Sequence, residues 1–184
     1  LIRLHEGGGG SVTGAGGGKG VPATVGPPVY EPRRFQSVAQ TMGCIPVATA
    51  ALGPVAGLPA SRLVASHFCV MTRENAQVLV AGPAVVARAL GENLTKEELG
   101  GAKIHARNGV ADSVAKDETE ACAQVRRFLS YMPRNAWELA PVIDIGDPAD
   151  RVEEELATII PRDRRKPYDM RKLISMVVDQ DSFF

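Results

Sequence analysis

The sequence carries no net charge: 21 lysines and arginines stand against 21 aspartates and glutamates in 184 residues. A nucleic-acid-binding chain shows a net basic footprint, so this balance argues against that class. The one basic knot, Arg162, Arg164, Arg165 and Lys166, follows Glu153, Glu154 and Glu155 and reads as a solvated segment. No apolar run approaches the roughly 18 residues of a membrane span. The opening "LIRLHEGGGG" lacks the length and small-residue cleavage pattern of a signal peptide. Cysteine is scarce: Cys44, Cys69 and Cys122 are odd in number, widely spaced and never in a C-x-x-C pair. That excludes a disulfide framework, argues against structural zinc, and fits a reducing, cytoplasmic compartment.

What remains is a chain with 45% apolar and 23% charged residues, enough for a core and too balanced for disorder. "LIRLHE" reads as a buried strand running into glycines. "EPRRFQSVAQTMG" reads as a helix with Phe35, Val38, Ala39 and Met42 on one face. "CIPVATAALG" and "HFCVM" read as buried strands and "QVLVAG" as a fourth, while "GVADSVA" is strand-like. Between them lie a helix opening near Gly57 to Pro59, a second over "GPAVVARALG" and a third opened by the capping box Thr95-x-x-Glu98. "DETEACAQVRRFLSYMP" is the strongest helix, with acids in its first turn and Val125, Phe128, Leu129 and Met132 on one face. Strands alternating with helices predict an α/β fold. We expect a domain over 1–140, an interdomain linker over 141–167, and a second domain opening at 168. The missing initial Met and the final "DSFF" lead us to expect a piece of a longer protein.

Nine of the 19 glycines fall within "HEGGGGSVTGAGGGKG", His5 to Gly20. A phosphate loop needs a glycine six residues before its lysine, and Thr13 stands there before Lys19. A dinucleotide fingerprint fails because Lys19 occupies the third glycine position after Gly14 and Gly16. Val12, Thr13, Ala15 and Val21 interrupt what would otherwise be a plain tether. Close backbone approach to a ligand is left, beside the simpler possibility of tight turns. A second glycine turn, "GPVAGLPAS", also follows a buried strand and opens a helix. Two such turns facing one cleft would offer a pair of amide donors to a developing oxyanion.

Several segments together resemble the carboxyltransferase (beta) subunits of biotin-dependent acyl-CoA carboxylases, in the crotonase superfamily. In "TKEELGGAKIHARNGVAD", Glu98, Leu99, Gly100, Gly101, Ala102, His105, Gly109 and Asp112 follow the family pattern, and Asn108 stands where serine is usual. "VLVAGPAVV", "VRRFLSYMPRN" and "PYDMRKLISMVVDQDSFF" resemble further family segments. The resemblance implies a crotonase-like ββα-spiral fold, covering the later part of the N-terminal domain and the start of the C-terminal one. The first glycine turn departs from the family's usual D-S-G-G-A-R, keeping two central glycines, and Leu58 replaces the last glycine of G-x-x-A-G-G.

The implied reaction moves CO₂ from carboxybiotin to the α-carbon of an acyl-CoA, with backbone amides stabilising the thioester enolate. The implied donors are the amides of Gly57 and Leu58, opposed by Gly8 or Gly9. Lys19, Arg33 and Arg34 are candidates for CoA phosphates. Biotin would come on a partner, its own amide pair lying in the C-terminal domain, and no metal is expected in this chain. The implied partners are a biotin carboxylase or biotin carboxyl carrier subunit, within a hexamer built as a trimer of dimers. A eukaryotic version would sit in the mitochondrial matrix. Two other readings stay open: the carboxyltransferase subunit of a sodium-pumping acyl-CoA decarboxylase, and a weakened scaffold paralogue. His105 is expected to be structural, Asp112 a turn acceptor, His5 and His67 packing residues, and Glu6 an acceptor for the glycine loop.

Overall fold

The computed structural model describes residues 1–7 and 34–183, which fall into two compact units, Leu1–Ala140 and Pro141–Phe184. In the first unit a parallel four-stranded sheet has the order β1 (Ile2–His5), β2 (Ala48–Ala51), β4 (Phe68–Thr72), β6 (Ser113–Ala115). A second parallel sheet consists of β3 (Pro54–Ala56) and β5 (Gln77–Leu79). Helices fill the crossovers, α1 (Arg34–Met42), α2 (Leu58–Val64), α3 (Pro83–Leu90), α4 (Lys96–Gly100) and α5 (Ala102–Asn108), and α6 (Glu118–Ser130) follows the last strand. The parallel α/β architecture expected from the sequence is therefore present.

Strand β4 shows how the sequence divides the core. Its successive side chains point to opposite faces. Cys69 and Met71 join Ala51, Val55, Leu63 and Val78 on one side; Phe68 and Val70 join Ala48, Ala50, Ala121 and Val125 on the other. The small residues of β2 let helix α6 come close, and the Phe68 and Phe128 rings stack there with centroids 5.1 Å apart. Such a pair contributes about 0.5–1.5 kcal/mol beyond its buried area. Asp117 caps α6, its carboxylate accepting from the Glu120 N–H at 2.8 Å.

Two expectations need correction, and one helix went unread. "LIRLHE" is a strand but not a buried one: among the described residues β1 lies at the end of the strand order, and Ile2 and Leu4 are 50% and 57% exposed. "PVA" is the separate strand β3 rather than part of a turn, because Pro54 sits at its first position, where no ladder N–H is needed. Residues 102–108 form helix α5, which the Gly100–Gly101 pair hid by reading as a stop.

The second unit contains a short 3₁₀ helix (Glu154–Ala157) and α7 (Met170–Val177), whose N-cap is Asp169. Arg151 joins its parts, pairing with Asp147 and Glu153 and donating to the Val178 carbonyl at 2.7 Å. Lys172 of α7 pairs with Glu155. Residues 147–155 thus share one compact unit with α7.

Candidate functional site

The two glycine turns rise from neighbouring strand ends. Strand β1 pairs with β2, and the chain leaving β1 stays beside the chain leaving β2: the Leu52 N–H donates to the His5 carbonyl at 2.9 Å. The Gly7 N–H then donates to the Pro54 carbonyl at 2.7 Å. Glu6 lies across this junction, its Cγ only 2.8 Å from where a Cβ on Gly53 would stand. The root of the first turn therefore leans on the start of the second. Gly8, Gly9, Lys19 and Arg33, and the Arg34 side chain, lie outside the described residues.

The second turn is built by the small sheet. Val55 pairs with Val78 and Ala56 with Leu79, and the ladder runs one rung further: the Gly57 N–H donates to the Leu79 carbonyl at 3.0 Å. Gly57 has φ 67° and ψ −133°, a conformation open to glycine and strained for residues with a Cβ. This reverses the chain into α2, whose first turn closes when the Ser61 N–H reaches the Gly57 carbonyl at 3.1 Å. Pro59 has no N–H, and no described acceptor takes the Leu58 N–H. Of the two amides expected to act as donors, Gly57's is already engaged in the ladder, while Leu58's is free of it.

The "TKEELGGAKIHARNG" segment holds β5 in place. The capping box is complete: Thr95 Oγ1 accepts from the Glu98 N–H, and Glu98 accepts from the Thr95 N–H at 2.8 Å. The Thr95 N–H, and with it the Thr95 hydroxyl at 2.9 Å, donate to the Glu98 carboxylate and hold it below its ordinary range. Gln77 Nε2 donates to Glu97 Oε1 at 2.9 Å. A Cβ on Gly100 would stand 2.1 Å from the Val78 oxygen, so only glycine lets α4 come this close to β5. His105 Nε2 lies 2.8 Å from the same oxygen. A carbonyl only accepts, so Nε2 carries the proton, while Nδ1 faces the Asn108 amide, its nitrogen at 3.3 Å and its oxygen at 3.4 Å. Asn108 Oδ1 in turn accepts from the Val110 N–H at 3.1 Å. His105 is structural, as expected, and Asn108 packs its amide against the ring's other nitrogen.

The other polar candidates resolve similarly. Asp112 Oδ2 accepts from the Cys69 N–H at 2.7 Å, which makes it a backbone acceptor. Burial pushes the Cys69 thiol up to about 11, with the Asp112 charge adding to it and a Thr49 hydrogen bond opposing it. His67 does more than pack, since its Nδ1 accepts from the Val47 N–H at 3.0 Å. His5 titrates below its ordinary value because it is partly buried and faces Arg3 and Arg62. Its Nε2 is buried, with no described hydrogen-bond partner. Among the described residues, no group of three His, Cys, Asp or Glu side chains could hold a metal ion. No described helix is long and apolar enough to cross a membrane.

The carboxyl transferase domain family matches residues 14–184. The chain belongs to that family. Its relatives include the alpha subunit of methylmalonyl-CoA decarboxylase from Veillonella parvula, 36% identical over 77% of this chain and 28% of that protein. The propionyl-CoA carboxylase beta chain of Roseobacter denitrificans is 35% identical over 82% of this chain and 30% of its own. The human mitochondrial propionyl-CoA carboxylase beta chain is 36% identical over 77% and 26%. Among solved structures, transcarboxylase 12S with hydrolysed methylmalonyl-coenzyme A bound, described as a hexamer assembly, superposes at TM-score 0.65 with 32% identity, over 79% of this chain and 29% of that one. The beta subunit of Pseudomonas aeruginosa geranyl-CoA carboxylase superposes at 0.57 with 29% identity, over 95% of this chain and 31% of that one. The fold is thus the crotonase-like fold of the carboxyltransferases. This chain spans about three-tenths of the length of these relatives.

Two features of the site were hidden in the sequence. One is the engagement of the Gly57 amide, which depends on β3 being a strand. The other is the convergence of Gly100 and His105 on one carbonyl. Only their five-residue spacing, across a helix boundary, signalled it.

Proposed function

We propose that the chain is part of a carboxyltransferase that transfers CO₂ between biotin and the α-carbon of an acyl-CoA. The carrying observation is the Leu58 N–H, free of the ladder and presented beside a conformation that requires glycine. In this reading it donates to the thioester oxygen as that oxygen gains charge, and Gly8 or Gly9 supplies the opposing donor. Gly57 sets the direction of the Leu58 amide rather than donating itself. A preorganised donor of this kind contributes about 2.7–4 kcal/mol to the transition state. Lys19, Arg33 and Arg34 are proposed to meet the CoA phosphates.

Carboxybiotin, carried by a partner subunit or domain, would supply the CO₂. The amides expected to hold it belong to the second carboxyltransferase domain, of which we take residues 168–184 to be the opening and 141–167 the linker. None of the described residues is proposed to hold biotin. Assembly as a hexamer, with a biotin carboxylase or carrier subunit and in a cytoplasmic or matrix compartment, belongs to the same proposal. Support comes from the propionyl-CoA carboxylase beta chains and from the hexameric 12S core.

A second reading is carboxyl transfer in a decarboxylase. It is favoured by the methylmalonyl-CoA decarboxylase relative, which is as similar as the carboxylases. The deciding experiment reconstitutes the full-length protein with its biotin-carrying partners and offers acetyl-, propionyl-, methylcrotonyl- and long-chain acyl-CoAs with ATP and bicarbonate. Carboxylation of any of them supports the carboxylase. Release of CO₂ from a carboxylated acyl-CoA alone supports the decarboxylase. An assembled complex that does neither yet binds acyl-CoA marks a scaffold.

A further inference from the structure

The Val78 carbonyl is touched from outside its own sheet by His105 Nε2 at 2.8 Å, and the next carbonyl along β5, that of Leu79, holds the Gly57 N–H at 3.0 Å. Consecutive carbonyls of a strand point to opposite edges. Strand β5 is therefore gripped by His105 on one edge and grips Gly57 on the other. Within the described residues β5 has only β3 as a strand partner, so its far edge depends on α4 and α5. An isolated antiparallel bridge, Gln77 to Gly101, and the Gln77–Glu97 bond hold the start of the strand. His105 holds its middle, one residue from the rung that ends at Gly57.

We propose that His105 is a positioning residue for the Gly57–Leu58 turn: by fixing β5 it fixes the plane of the Gly57 amide, and with it the direction of the Leu58 N–H. The chemistry is an imidazole N–H acting as a fixed donor to a backbone carbonyl. The Val78 carbonyl at 2.8 Å requires the proton on Nε2, and the Asn108 amide lies against Nδ1, its nitrogen at 3.3 Å and its oxygen at 3.4 Å. Gly100 also brings α4 against the same carbonyl. What Gly100 gives is closeness; what His105 adds is direction. This inference rests on the reading that the Leu58 amide is an oxyanion donor.

The test uses the full-length protein in its assembled complex, with three variants. His105→Met fills the space without a donor. His105→Gln places an amide N–H near the position of Nε2. Leu58→Pro removes the proposed donor itself; proline suits the first helical position, and Gly57 at φ 67°, ψ −133° tolerates a following proline. His105→Met is expected to lower kcat by about 10- to 10²-fold with little change in KM, as misplacement of a donor does. His105→Gln is expected to recover most of that loss at a melting temperature equal to that of His105→Met. Leu58→Pro should lower kcat by about 10²–10³-fold. A parental kcat in His105→Met, or a His105→Gln variant no faster than His105→Met, overturns the positioning role. A parental kcat in Leu58→Pro overturns the oxyanion reading beneath it.

Discussion

The Gly57 N–H sits 3.0 Å from the Leu79 carbonyl, one rung beyond the last paired residues of the small sheet. That bond decides what a substitution at Gly57 does. The amide is held by the strand, and the torsions of φ 67° and ψ −133° are left for the residue to satisfy. Any side chain there is strained by about 1–3 kcal/mol. Gly57→Ala is therefore expected to lower the melting temperature and to turn the Leu58 amide away. Turnover should drop by about 10²-fold or more. Thermal unfolding and steady-state kinetics on the assembled protein check it; unchanged turnover in a folded variant would mean the turn is only a turn.

Gly100 and Gly82 form a matched pair. A Cβ on Gly100 would meet the Val78 oxygen at 2.1 Å, whereas one on Gly82 meets nothing within 4 Å. Gly100→Ala must push α4 off β5 and should cost about 1–3 kcal/mol or more. Gly82→Ala, at the N-cap of α3 with φ −74°, should stay within about 0.5–1 kcal/mol of parental. Urea unfolding of the two variants side by side reads the difference.

The sequence made most of this arrangement readable, for reasons that can be named. The central strands β2 and β4 are made of small and apolar residues with one threonine each and are buried along their whole length, because parallel strands are covered on both faces. The capping box at Thr95 and the acidic start of α6 are local signals that tertiary contacts did not override. What escaped depended on distant partners. Ile2 and Leu4 look like core residues until the strand order puts β1 at the end. Strand β3 has three residues and begins with proline, so only its pairing with β5 shows it to be a strand. Gly57 and Leu58 were legible as a turn, but which of their amides is free follows from the Leu79 carbonyl, 21 residues away from Leu58.

Cys69 predicts a pH signature. Its thiol is raised by burial to about 11 from an ordinary 9. A group raised in the folded state favours folding while it is protonated. Its contribution is complete below pH 9 and is lost as pH rises through 11. Stability measured from pH 8 to 11 should fall less steeply in Cys69→Ala than in the parent, after allowance for the cavity. A thiol reagent at pH 8 should modify exposed Cys44 in the native protein and leave buried Cys69 until it unfolds. Rapid native labelling at Cys69 would contradict the burial that sets its shift.

Leu58 offers the sharpest view of substrate choice. Its N–H is a backbone group and survives any substitution except proline, so its side chain can be altered without touching the proposed donor. The side chain is only partly buried, and in the proposed site an acyl group bound through its thioester would extend past it. Leu58→Gly, the residue usual at this place in the resembled family, should therefore keep turnover on at least one acyl-CoA. The order of preference should change: a group of a methylene's size in an apolar pocket shifts selectivity by about 10- to 200-fold. Glycine in the first turn of α2 costs up to about 1 kcal/mol, so a melting curve must accompany the kinetics. The measurement is kcat/KM across acetyl-, propionyl-, methylcrotonyl- and long-chain acyl-CoAs for parent and variant. A change in ranking places the Leu58 side chain on the acyl wall. An unchanged ranking, with equal turnover on every substrate, would place that side chain away from the acyl group and leave only the amide in the site.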